Sequence, residues 1–233
     1  MDYIDYLKNR YDEKTFSRKQ DYIRHNFSKF ISKKNNLKVL EIWPWMWEFV
    51  DYMNKCWVED ITLVDNDESI LNHNIGLYKI KKTILLNDSI TELKEELENY
   101  DLIFLTQVFE HVPVNQQNGL LAFLFSLLNE GWHVIITVPN ANNFLSLVER
   151  YSDFTHTCLF TSNSLIQLSE NIGVTPKNII LQGYRIPPYE LINFVRIILQ
   201  KILHLLILCI YIINWWVYWK ILTPNISLII RKD

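Results

Sequence analysis

Lys38-Val-Leu-Glu-Ile-Trp-Pro-Trp-Met-Trp-Glu48 is the stretch on which the reading of this chain turns. Val39, Leu40 and Ile42 make a buried apolar strand, Glu41 is a lone acid at its end, and a helix opens at Glu48. A turn that leads from a strand into a helix and lets a ligand approach its backbone calls for glycine, which alone reaches positive φ freely and has no Cβ in the way. Trp43, Trp45 and Trp47 stand at the places where that logic puts glycine.

The rest of the chain repeats the strand-then-helix pattern. Residues 1–36 are polar and helix-favouring, with Tyr22, Ile23, Phe27, Phe30 and Ile31 at helical spacing and Asn35 and Asn36 closing them. Strands are predicted over 37–42, 60–65, 83–86, 101–106 and 133–138, separated by helices over 46–56, 67–74, 91–98 and 114–128. A short helix over 144–151, a helix over 162–171 ended by Gly173, a strand over 177–183 and a last strand over 225–231 follow, the last expected at the sheet edge. This alternation predicts an α/β, doubly wound, mostly parallel sheet. Such sheets bind ligands at the carboxyl ends of their strands, so Glu41, Asp65, Asp88 and Gln107 should converge on one crevice.

Three units follow: a helical lead-in over 1–36, a core over 37–185, and an apolar helix plus final strand over 186–233. Within 190–213, Asn193, Arg196, Gln200 and His204 form one polar stripe on a wide apolar helix. Its uninterrupted apolar part, 205–213, falls short of the roughly 20 residues a bilayer core needs. An interfacial or partner-binding helix is therefore predicted, with peripheral membrane contact through residues 190–214. The net charge of −3 with scattered basic residues predicts no nucleic-acid partner. Cys56, Cys158 and Cys209 are odd in number and far apart, which fits a reducing compartment, and the charged N-terminus has no signal-peptide core. A cytoplasmic protein is expected.

An acid ending the second strand after such a turn is how doubly wound folds grip a ribose diol, and Asp65 suits that role. With Glu41-Ile-Trp-Pro-Trp-Met-Trp47, Leu63-Val-Asp65, Asn87-Asp88-Ser89 and the run from Tyr100 to Val112 in view, the chain resembles the class I S-adenosylmethionine-dependent methyltransferases. The Glu110-His111 pair is similar to the ubiquinone-type branch, as is the run from Leu128 to Asn140. Asp153-Phe-Thr-His-Thr-Cys-Leu-Phe-Thr-Ser-Asn-Ser-Leu165 is similar to a segment of methyltransferases linked to polysaccharide and glycolipid assembly.

The resemblance implies a seven-stranded sheet with the last strand antiparallel, and S-adenosylmethionine as cofactor. It places Glu41, Trp43, Trp45, Trp47, Asp65, Asn66, Asp88, Ser89 and Gln107 at the cofactor. The implied reaction is methyl transfer to a small-molecule, sugar or lipid-linked acceptor, expected at a hydroxyl. A base helps such an acceptor, and His111 and His156 are the candidates, with Glu110 and Asp153 orienting them. The spacing of these residues along the chain shows no metal-ligand set, so no metal is predicted.

Three indoles in the cofactor turn would block it, and one alternative is a non-catalytic protein of the same fold that only binds or scaffolds. A nicotinamide-dependent dehydrogenase shares the logic of Asp65 but lacks that family's glycine spacing. The other explanation lies in composition. About 7% glycine would give roughly 16 in a chain this long, yet there are 5 glycines beside 8 tryptophans. Trp43, Trp45, Trp47, Trp57 and Trp132 all stand where the resemblance puts glycine. UGA codons, read here as tryptophan and as glycine in the source, would account for them, and Trp215, Trp216 and Trp219 could share that origin.

Overall fold

The computed structural model describes residues 11–31, 36–73, 75–143, 145–215 and 220–233. The outer parts of the expected lead-in (1–10 and 32–35), with Asn35, and Asn74, Phe144, Trp216 and Trp219 lie outside them. Strands β1 (Val39–Ile42), β2 (Ile61–Asp65), β3 (Lys82–Leu85), β4 (Tyr100–Thr106), β5 (Leu128–Pro139), β6 (Ile179–Gly183) and β7 (Asn225–Arg231) form one sheet in the order β3-β2-β1-β4-β5-β7-β6. The helices are α1 (Glu13–Phe27), α2 (Glu48–Lys55), α3 (Glu68–His73), α4 (Val114–Ser126), α5 (Ser146–Ser152), α6 (Ser162–Asn171) and α7 (Leu191–Trp215). The segment expected as a helix over 91–98 is instead a tight 3₁₀ stretch, Ile90–Glu95, which Ser89 caps by accepting from the Thr91 amide.

Strands β1 to β5 pair in parallel, and every residue of β1 and β2 is buried. Near-continuous apolar runs are what a sheet covered on both faces requires. The period of two sorts them: Leu40, Ile42, Val64, Ile103 and Leu105 face one core with α4, while Val39, Ile61, Leu63, Leu102 and Phe104 face the other with α1 and α2. Phe104 anchors the second core, stacked on Phe49 at 3.9 Å between ring centres and edge-on to Phe27 at 5.4 Å. Each such side chain contributes about 3–5 kcal/mol judged by truncation to alanine.

The last strand corrects the expectation from sequence. β7 does not join the sheet edge; it inserts antiparallel between β5 and β6, pairing His133 with Arg231 on one side and Ile179 with Ile230 on the other. Its residues Ile226 to Ile230 are all buried. A strand with no solvated face belongs in a sheet's interior, and the edge falls to β6, whose residues are only half-buried or exposed.

Candidate functional site

A cavity of about 940 Å³ opens at the carboxyl ends of the parallel strands. Trp43 and Trp45 reach it from the turn after β1, Asp65 and Asn66 from β2, Asp88 and Ser89 from the turn after β3, and Gln107 and His111 from beyond β4. Because all these strands run the same way, their last residues collect at one rim, as the sequence spacing required. Asp67 and Gln116 also line the cavity. Neither carries a motif, although Gln116 lies in the first turn of a helix that starts at the rim.

Asp65 is 4% exposed and accepts a hydrogen bond from the Asp67 amide at 2.9 Å. Burial lifts its carboxyl to about 6. Glu41, by contrast, does not line the cavity: it is buried beneath the turn, and its Oε2 has no hydrogen-bond partner. Desolvation first, then the neighbouring Glu48 and Asp65 charges, raise its carboxyl well above the usual range.

The turn itself has the backbone of a glycine turn. Trp43, Trp45 and Trp47 have φ of 56°, 49° and 68°, and Trp57 has 64°. A bulky L residue in the left-handed region is an outlier that costs about 1–2 kcal/mol. Only Asn36 and Gln107 share that conformation among the other described non-glycine residues. Trp132 is not in this group, so its place among the suspected glycines rests on the resemblance alone.

The four indoles sit in unlike surroundings. Trp43 donates from Nε1 to Asn66 Oδ1 at 3.1 Å and Trp45 to the Thr106 carbonyl at 3.3 Å. Trp47 is fully buried and donates to the Ile70 carbonyl at 3.0 Å. Trp57 is 86% exposed and follows the C-terminus of α2, where a left-handed glycine commonly ends a helix.

Beyond β4, the turn Phe109–His111 brings Glu110 and His111 against the loop that carries Asp153 and His156. That loop is sewn on through Thr157, whose amide donates to the Glu110 carbonyl at 2.8 Å and whose hydroxyl reaches the Val112 carbonyl at 2.8 Å. The rings of His111 and His156 lie 4.7 Å apart, edge to face. His111 lines the cavity, whereas His156, Glu110 and Asp153 stand behind it. Glu110 is fully buried with both carboxyl oxygens unpartnered, and burial pushes its carboxyl up to about 8. Burial also lowers His111, which keeps its imidazole neutral at pH 7.

A seven-stranded sheet with one antiparallel strand, a cavity at its carboxyl rim and an acid ending β2 matches a known family. The family described as a methyltransferase domain matches residues 11–176. The chain belongs to that family. Its cofactor is S-adenosylmethionine. A search of curated proteins returned no match.

Among solved structures, the methyltransferase resembles a SAM-dependent methyltransferase from Archaeoglobus fulgidus at 17% identity, with a TM-score of 0.63 over 91% of this chain and 94% of that one. It also resembles the plantazolicin methyltransferase BpumL, solved with SAH, at 18% identity and a TM-score of 0.60 over 98% of this chain and 88% of that one. At these identities the likeness is one of fold.

The residues present fit half of the cofactor. Asp65, with Asn66, Asp88 and Ser89 beside it, offers a polar cradle for an adenosine group. The indoles of Trp43 and Trp45 occupy the wall next to the turn after β1, where a ligand must approach the backbone, so the methionine half does not fit the chain as written.

Proposed function

We propose that this methyltransferase modifies a hydroxyl of a sugar or glycolipid acceptor at the cytoplasmic face of a membrane. The observation that carries the reading is the shared cavity, which has Asp65 and the half-buried His111 in its wall. S-adenosylmethionine, when bound, supplies a methyl group already activated on a sulfonium sulfur, so the protein's main task is alignment. With glycine at 43, 45 and 47, Asp65 would hold the ribose hydroxyls of the cofactor, and His111, in the wall of the same cavity, would take the proton of the acceptor hydroxyl.

Helix α7 supports the lipid-linked acceptor. Asn193 and Ile207 are buried against the body, Gln200 and His204 are half-buried, and Tyr211 donates to the Asn142 carbonyl at 3.1 Å. The remaining arc, including Ile198, Leu199, Ile202, Leu205 and Leu206, faces outward and is exposed. Asn193, Gln200 and His204 turn toward the protein, while the exposed arc is apolar apart from Arg196, Lys201 and Asn214, and a membrane interface suits an apolar arc dotted with such residues. Unlike the shorter run judged from sequence, α7 is continuous: Leu191–Asn214 has mean hydropathy 2.1 and is long and apolar enough to cross a membrane by length and composition. The contacts of Asn193, Gln200 and His204 with the body, and the exposed charges of Arg196 and Lys201, favour lying along the surface over spanning it.

The same reading requires glycine at 43, 45, 47 and 57 in the working protein, and the left-handed backbone at all four supports it. UGG codons at 43, 45 and 47 in the nucleotide sequence would end that idea. The second reading, a non-catalytic protein of this fold, is favoured by Trp43 and Trp45 lining the cavity. Calorimetric titration with S-adenosylmethionine separates the two, using the chain as written and a Trp43→Gly, Trp45→Gly, Trp47→Gly variant. Binding by the variant alone is expected; binding by neither refutes the enzyme reading, and tight binding by the chain as written refutes the blocked one.

A further inference from the structure

We infer that Lys19 of α1 and Tyr11 just before that helix hold the carboxylate of the methionine group of S-adenosylmethionine, and that the indole of Trp45 stands in for that amino-acid group in the chain as written. The inference rests on glycine at position 45 in the working protein.

The segment 11–19 and the turn after β1 meet at Trp45. Tyr11, Phe16 and Trp45 pack together on Met46 and Ile70. The Lys19 ammonium lies 5.2 Å from the centre of the Trp45 ring, 4.2 Å from that of Tyr11 and 3.1 Å from Glu48 Oε1. At its edge the same indole donates from Nε1 to the Thr106 carbonyl at 3.3 Å. The face of an aromatic ring is its electron-rich part and draws a cation, while the indole nitrogen can only donate. One side chain therefore offers an anion-like face to an ammonium and a donor to a carbonyl. An α-amino acid makes that pair of contacts with its carboxylate and its own ammonium.

The groups around the indole have bonding capacity left over. Tyr11 Oη is buried and has no hydrogen-bond partner among the described residues, and the same holds for Gln107 Nε2, next to Thr106 in the cavity wall. A buried donor without a partner is costly, and a carboxylate satisfies it. Lys19 is paired with Glu48, which is 5% exposed, so its position is fixed while further N–H groups stay free. Glu41 and Glu48, the acids beside the turn, would repel a lone carboxylate, and Lys19 is the cation that offsets them. Because Trp45 lines the cavity, the space its indole vacates opens onto the wall that Asp65 also lines, which joins the amino-acid place to the adenosine cradle. Neither Tyr11 nor Lys19 belongs to the strand-and-turn motif.

The test uses the full chain carrying Trp43→Gly, Trp45→Gly and Trp47→Gly, titrated by calorimetry with S-adenosylmethionine and with its decarboxylated form, which lacks only the carboxylate. Adding Lys19→Met is expected to weaken S-adenosylmethionine about tenfold or more and to leave the decarboxylated form unchanged; Tyr11→Phe is expected to cost about threefold or more with the same selectivity. Lys14→Met, exposed on the same helix, is the control expected to bind both ligands as the triple variant does. Circular dichroism shows whether each variant folds. Lys19→Met leaves the buried Glu48 without its partner, and if it unfolds the chain, Tyr11→Phe decides. Equal loss of both ligands, no loss of either, or an equal loss in Lys14→Met overturns the inference and leaves the methyl-transfer reading standing. Binding of neither ligand by the triple variant overturns that reading and the inference with it.

Discussion

Trp57→Gly isolates the backbone cost of a tryptophan in the left-handed region. The residue has φ 64° and its side chain is 86% exposed, so almost no packing is lost with the indole. Relief of the left-handed conformation contributes about 1–2 kcal/mol, and the extra freedom glycine gives the unfolded chain takes back about 0.5–1 kcal/mol. A net stabilisation of about 0.5–1 kcal/mol is expected. Urea unfolding followed by circular dichroism reads it as a raised midpoint at unchanged slope, since little surface changes. Trp57→Ala keeps a Cβ, hence keeps the strain, and should not raise the midpoint comparably. A Gly variant no more stable than the parent, or an Ala variant that gains as much, would refute the assignment of glycine geometry to this position.

Asp65 must be charged to accept two ribose hydroxyls, and its carboxyl stands at about 6. In the Trp43→Gly, Trp45→Gly, Trp47→Gly variant, cofactor affinity measured by calorimetry should hold above that pH and fall about tenfold per unit below it; Asp65→Asn should cost at least about tenfold at pH 7.5. Glu41 has a folded-state carboxyl raised above its unfolded value of about 4.3. Its proton is bound more tightly in the folded protein, so stability declines as pH rises through that window, and Glu41→Gln should raise the urea midpoint at pH 8 while changing little at pH 4. Ile198→Lys and Leu205→Lys, at positions 46% and 62% exposed, should leave folding intact and abolish co-sedimentation with vesicles of phosphatidylcholine and phosphatidylglycerol. A parent chain that never co-sediments makes α7 a protein-packing surface instead.

The strands that read as apolar runs in sequence became the parallel half of the sheet because burial on both faces leaves such runs no other use. Asp65, Asp88 and Gln107 reached the cavity for the same topological reason. What chain order cannot convey is long-range pairing. Asn225–Arg231 carries polar Asn225, Ser227 and Arg231, which reads as a strand with one wet face, yet Ser227 is buried and hydrogen-bonded to Thr137 at 2.9 Å in the sheet's interior. His156 likewise joins Glu110 only because Thr157 ties its loop to the turn after β4. Glu41 stood out in the motif but lies under the turn, since an acid within a fully buried strand faces whichever layer the pleat dictates.

Strain stored at a functional site is the ordinary explanation for left-handed non-glycine residues, and it fits Gln107, which sits in the cavity wall. It does not fit the tryptophans. Trp43 and Trp45 line the cavity, Trp47 is sealed in the core, and Trp57 stands in solvent at a helix end. No environment is common to these positions; the left-handed backbone is what they share. A cause acting through surroundings would favour different residue types at a wet helix end and in a dry core. A cause acting on how one codon is read yields the same residue at every such place, and glycine is the residue that all four backbones admit without cost.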